Sequence, residues 1–157
     1  SVLHVATHFK LVPGREDESQ LLLGDGDLLT LRQLRSDVTL AFGTYDLVTL
    51  SACNTSMGGG AVSDRAGAEF EGLATTLMKK GARAVMATLW EVQDQGTAAL
   101  MRAFYAARGE QRQRNKAEAL REAQRAMLSG ELRDDSGRLD FRHPYYWAGF
   151  VLMGNWL

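Results

Sequence analysis

The chain's single cysteine, Cys53, stands in DLVTLSACNTSMGGG, where a run of strand-forming residues gives way to Asn, Thr, Ser and three glycines. The thiolate is the nucleophilic form of cysteine, and a free thiol with a pKa near ~8.5 is only a few per cent ionised at neutral pH. An imidazole beside it raises that fraction. Of the three histidines, His8 follows directly on the first apolar run, VLHVAT. The glycines after Cys53 would let backbone N–H groups turn toward a bound carbonyl, an oxyanion hole worth roughly 3 kcal/mol per donor. A lone cysteine in a strand is also a common small buried hydrophobe. Residue type alone leaves both uses open.

Whether thiol and imidazole can meet depends on the elements that carry them. Val2 to Thr7 is short, apolar and rich in β-branched residues, as a buried strand is. Asp46 to Ala52 reads as a second core strand, so His8 and Cys53 each fall just past a strand end. Ligands of open α/β sheets bind outside the carboxyl ends of the strands. Were these two strands parallel neighbours, about 4.8 Å apart, the two residues would share one rim. His4 alternates onto the same face as His8 but deeper, which suggests a core or supporting residue. His143 precedes Pro144 in a turn and reads as a cap.

Between the two strands, LLLGDGDLL predicts a hairpin with glycines in its turn, and Thr30 an N-cap for a short helix over Leu31 to Leu34. Phe70, Leu73, Ala74, Leu77 and Gly81 fall at offsets 0, 3, 4, 7 and 11, one face of a helix that ends at Gly81. ARAVMATLW is a third strand. DQGTAALMRAFYAAR and KAEALREAQRAML are two more helices; Leu100, Met101, Phe104 and Tyr105 form the buried side of the former, and Glu118 can pair with Arg121 in the latter. HPYYWAGFVLMGNW ends in a strand. GELRDDSGRLDF alone reads as a long, mobile loop. Apolar strands alternating with amphipathic helices argue for an α/β sandwich with a mostly parallel central sheet.

The 157 residues suit one domain, 1–157, with a real core. A formal charge of −1, with no Lys/Arg stripe, makes no electrostatic case for nucleic acid. No apolar run reaches membrane-spanning length and no signal peptide is visible, so the expectation is a soluble, cytoplasmic domain without membrane contact. One cysteine leaves no disulfide within these residues and no cysteine-rich zinc site. Neither cofactor nor metal is expected: the glycine run lacks the Lys-Ser or Lys-Thr of a phosphate loop. The opening at Ser1, straight into a core strand, leads us to expect further sheet or helix before it, hence an N-terminally truncated domain.

Several separated blocks then agree in order: LHVATHF, LLLGDGDLLTLRQL, DLVTLSACNTSMGGG, GLATTLMKKGARAVMATLWEVQD, FYAA, KAEALREAQRAML and HPYYWAGFVLMGN. From Leu3 to the C-terminus the chain resembles the CHAT domain family, caspase-like domains that often follow tetratricopeptide repeats in bacterial proteins. The resemblance implies a caspase-like three-layer sandwich and a cysteine endopeptidase acting on a protein or peptide, with a repeat region upstream in the same polypeptide. It implies His8 and Cys53 as the catalytic dyad, and the backbone N–H groups of Phe9 and Cys53 as the oxyanion hole. Phe9 stands where many relatives carry glycine. Ser51, two before the nucleophile, falls where relatives line the first specificity pocket, and Glu91 and Asp94 fall where they shape it, which would favour Lys or Arg. Asp94 equally reads as an N-cap of the next helix, and Trp90 as a cleft wall or a core residue. Asp64 and Arg65 could touch substrate or lie as solvated loop charges. Because a fold does not guarantee an activity, a catalytically silent interaction module of the same fold is the alternative. A serine hydrolase built on Ser51 or Ser56 fits poorly, since neither lies in a G-x-S-x-G elbow.

Overall fold

The structure, a computed structural model, describes residues 1–10, 12, 14–54, 64–90, 92–110, 115–134, 137 and 139–157, with backbone alone at 52–54, 64–71 and 110. The chain divides into two compact units, Ser1–Glu91 and Val92–Leu157.

The first unit is built on strands β1 (Val2–Lys10), β2 (Gln20–Leu22), β3 (Leu28–Thr30), β4 (Leu47–Asn54) and β5 (Ala84–Thr88), with helices α1 (Leu31–Ser36) and α2 (Asp64–Lys79). The strands lie in the order β3-β2-β1-β4-β5. The centre is parallel, β1 with β4 and β4 with β5, while the β2–β3 hairpin adds two antiparallel strands at the edge. This is the mixed α/β class expected from the alternation of apolar runs and amphipathic helices.

Burial grades across this sheet. All five residues of β5 are buried, as are Leu47, Val48, Thr49 and Leu50 of β4, so these strands are covered on both faces. That is the condition in which parallel strands read as unbroken apolar runs. β1 differs: Leu3, Val5, Thr7 and Phe9 turn to the better buried face, while Val2, His4, Ala6, His8 and Lys10 are exposed. The strand predicted as fully buried therefore has one open face, and its polar residues occupy that face.

The predicted helix boundaries are held by identifiable groups. Thr30 caps α1 through a capping box, its hydroxyl accepting from the Gln33 N–H while the Gln33 side chain accepts from the Thr30 N–H. α2 ends at Gly81, whose φ of +103° is closed to most L-residues and whose Cβ position lies 3.0 Å from the Gly43 backbone. Leu73, Ala74 and Leu77 of α2 are buried. The side chain of Phe70, the first residue of the predicted face, lies outside those described.

The second unit holds α3 (Asp94–Glu110), α4 (Lys116–Ser129) and β6 (Phe150–Gly154). α3 packs on α4 and buries Leu100, Met101 and Phe104, with Tyr105 half-buried. Glu118 does not serve the predicted Arg121 pair. Its carboxylate accepts from the Asn115 N–H, completing a capping box at the start of α4. An orphan N–H of the first turn outcompetes a solvated guanidinium for that carboxylate. His143 is a cap as predicted, its Nδ1 accepting from the Tyr145 N–H at 3.2 Å.

Within the segment predicted to be a mobile loop, residues 135, 136 and 138 lie outside those described, and the described residues carry local bonds. Arg133 and Asp140 form an antiparallel bridge, and Asp134 accepts from the Leu139 N–H at 2.6 Å. Arg142 Nε donates to both Asp140 oxygens at 2.9 and 2.8 Å. This side-chain bond, with the Arg142 N–H, holds the Asp140 carboxyl at about 2, below its ordinary 3.8. A depressed carboxyl stabilises the fold above its unfolded value, and that contribution is lost as pH falls through the folded value, here between roughly 4 and 2. Arg142→Gln is expected to move the Asp140 midpoint toward 3.8 in a carboxyl-detected NMR titration. A midpoint that stayed at its original place would show that the backbone N–H alone sets it.

Candidate active site

The apolar faces of β1 and β4 make these strands neighbours, and their parallel register carries the site. It runs without interruption from Val2↔Leu47 to Phe9↔Asn54 and pairs His8 with Cys53. Positions so paired lie about 4.8 Å apart on adjacent strands. The neighbouring, parallel arrangement on which the sequence argument depended is thus the arrangement found. His8 is exposed. The side chain of Cys53 lies outside those described.

Both strands run further than predicted. β1 continues through His8 to Lys10 and β4 through Cys53 to Asn54, so the two residues sit within the last turns of their strands rather than beyond them. The reason is non-local. β2 folds back on the end of β1, pairing Phe9 with Leu21 and Lys10 with Gln20, and so extends the ladder past the apolar run. β5, by contrast, pairs with β4 only at Val48, Thr49 and Leu50.

Phe9 is 3% exposed and has register partners on both sides, Leu21 on β2 and Asn54 on β4. A backbone N–H in that setting points at a neighbouring strand. The phenyl ring turns to the buried face, away from the face that carries His8, so its bulk falls in the core.

His4 is not a core residue. It shares the open face with His8, and its Nε2 forms a hydrogen bond with Ser51 Oγ at 2.9 Å. Partial enclosure of the ring lowers its pKa below the ordinary histidine value through desolvation. Ser51 is half-buried. The bond runs diagonally, because His4 is in register with Thr49 and Ser51 with Ala6. Alternation placed His4 with His8 and Ser51 with Cys53, but only the register brings the two pairs together.

The remaining candidates divide. Asp64 is the first residue of α2, and the side chains of Asp64 and Arg65 lie outside those described. Glu91 lies outside the described residues. Asp94 opens α3 in the second unit, and the first helical bond, Thr97 N–H to Gln93 C=O at 2.9 Å, makes Gln93 the cap and puts Asp94 in the first turn. Its carboxylate there complements the helix dipole. Trp90 is half-buried. In the loop after β1, Asp17 pairs with Arg35 and Glu18 with Arg15 at 3.0 Å. Arg35 also donates from Nε to Thr76 Oγ1 at 3.2 Å. One side chain of α1 thereby braces the loop that follows His8 against the helix that follows Cys53.

Among the described residues no group of three or more His, Cys, Asp or Glu side chains could hold a metal ion. Among them too, no helix is long and apolar enough to cross a membrane.

A parallel-centred α/β sheet with histidine and cysteine in register on adjacent strands is consistent with a caspase-like sandwich. The chain matches the CHAT domain over residues 1–155, nearly its whole length, and belongs to that family. The family is caspase-like and often protease-related. No curated protein matches the chain.

Proposed function

We propose that this domain is a cysteine endopeptidase whose dyad is His8 and Cys53. The observation that carries the reading is the register that sets these two residues opposite each other on adjacent parallel strands. His8 takes the thiol proton, and the sulfur attacks the carbonyl carbon of the scissile bond. The tetrahedral oxyanion collapses to a thioester as the C–N bond breaks, and His8 returns its proton to the leaving amine. Water, deprotonated by His8, then cleaves the thioester, giving the carboxylate and the free thiol. The backbone N–H groups of Cys53 and Phe9 are the assigned oxyanion donors. Phe9 takes its part only where its N–H is released from the strand it faces. The substrate is a protein or peptide, and an upstream tetratricopeptide region and a cytoplasmic location belong to the same reading.

Iodoacetamide labelling of Cys53 across pH tests the dyad. The rate is expected to rise with a midpoint below the ~8.5 of a free thiol, and His8→Ala to slow labelling about tenfold or more at neutral pH. Labelling indifferent to His8 would instead make the domain a silent interaction module.

A further inference from the structure

His8 is not the last residue that β1 turns toward solvent. Strand alternation puts Lys10 on the same side as His8, two residues nearer the carboxyl end, and both are exposed. Two strand residues advance about 6.6 Å, at ~3.3 Å each. The cross-strand neighbours of Lys10 carry no charge: it pairs with Gln20 on β2, and Gln20 pairs with Thr30 on β3. In the loop that follows, Asp17 and Glu18 are engaged by Arg35 and Arg15. Among the described residues no ion pair engages Lys10. An unneutralised ammonium thus stands beside the proposed base, and the dyad chemistry does not use it.

We infer that Lys10 is a specificity-determining residue, which recruits an aspartate or glutamate within the first three residues after the cleaved bond. This rests on the peptidase reading above. That chemistry decides which part of a substrate meets the ammonium. Cys53, on β4, keeps the acyl part as the thioester, whereas His8, on β1, gives its proton to the departing amine. The sheet continues from β1 to β2 on the side away from β4, so the leaving peptide departs over the strand that carries Lys10. The four-carbon stem of a lysine spans about two residue lengths of an extended peptide, which sets the reach of the ammonium. A unit charge about 7 Å away favours an opposite charge by roughly three- to tenfold, for an effective dielectric between that of water and ~40. The same charge repels a basic residue, so Lys10 both recruits and rejects.

The first measurement needs no substrate. Iodoacetate and iodoacetamide alkylate the same sulfur and differ by one negative charge. The ratio of their rates at Cys53, read by mass spectrometry, therefore cancels the thiolate fraction and reports the local field. Lys10→Gln should lower the iodoacetate-to-iodoacetamide ratio about threefold and Lys10→Glu about tenfold, with both differences shrinking in ~0.5 M salt. A ratio that Lys10→Glu leaves unchanged overturns the inference. The second measurement sequences the products of a peptide library. Asp and Glu should be enriched about threefold or more at one of the first three positions after the new N-terminus. Lys10→Gln should abolish that preference, and Lys10→Glu should replace it with Lys and Arg. Cleavage without an acidic preference there, or with one that Lys10→Glu leaves in place, overturns the role of Lys10 and leaves the dyad standing. Absence of any cleavage brings down the peptidase reading and this inference with it.

Discussion

Cys53→Ala is expected to remove cleavage of any peptide this domain hydrolyses, by about a thousandfold or more, because the thioester intermediate is formed on the Cys53 sulfur. His8→Ala should lose nearly as much. The double variant should be no worse than the poorer single one, since nucleophile and base act as a unit and their losses do not add. That non-additivity separates a dyad from two independent contributions to folding, which would sum. Initial rates on a peptide library, with circular dichroism on each variant, are sufficient. Full activity in Cys53→Ala would end the assignment. Losses in the single variants that multiplied in the double would deny that the two residues cooperate.

Phe104→Ala is expected to cost about 3–5 kcal/mol of stability, the range for deleting a buried aromatic ring. Phe104 has no exposed surface, lies in α3, the helix that packs on α4, and meets Tyr105 edge-on with ring centroids 5.1 Å apart. Leu128→Ala, at a residue 54% exposed on α4, should change stability by no more than about 0.5 kcal/mol. Urea unfolding followed by tryptophan fluorescence and by far-ultraviolet dichroism measures both variants. Similar losses in the two would mean that Phe104 is not the core residue its burial indicates.

Much of this architecture was legible in the chain because the signals are local. Leu100, Met101 and Phe104 recur at helical spacing and are among the residues α3 buries. Thr30 and Gln33 form a cap whose chemistry lies within four residues. Gly81 ends α2 because few other residues adopt its φ. The errors came where a local signal met a distant partner. The apolar run from Val2 read as a buried strand ending at Thr7, yet pairing with Leu21 and Gln20 carries it to Lys10, and its alternate residues face outward. Composition between Gly130 and Phe141 likewise shows no sign of the bridge between Arg133 and Asp140 or of the Arg142 bond to the Asp140 carboxylate.

By itself the sequence determined which segments become strands and helices, which family they compose, and that the thiol and an imidazole both lie near strand ends. Hydrophobic period, capping residues and glycine placement act over a few residues and survive reading in one dimension. Only the tertiary structure decided the register. A slip of one residue between β1 and β4 would keep every local signal and still send paired positions to opposite faces. With the register as it is, His8 stands opposite Cys53 and His4 reaches Ser51 across the diagonal. That outcome comes from the burial of Phe9, Val48 and Leu50, with Leu3 and Val5 half-buried on the same side of the sheet, a choice made by packing between segments some 45 residues apart.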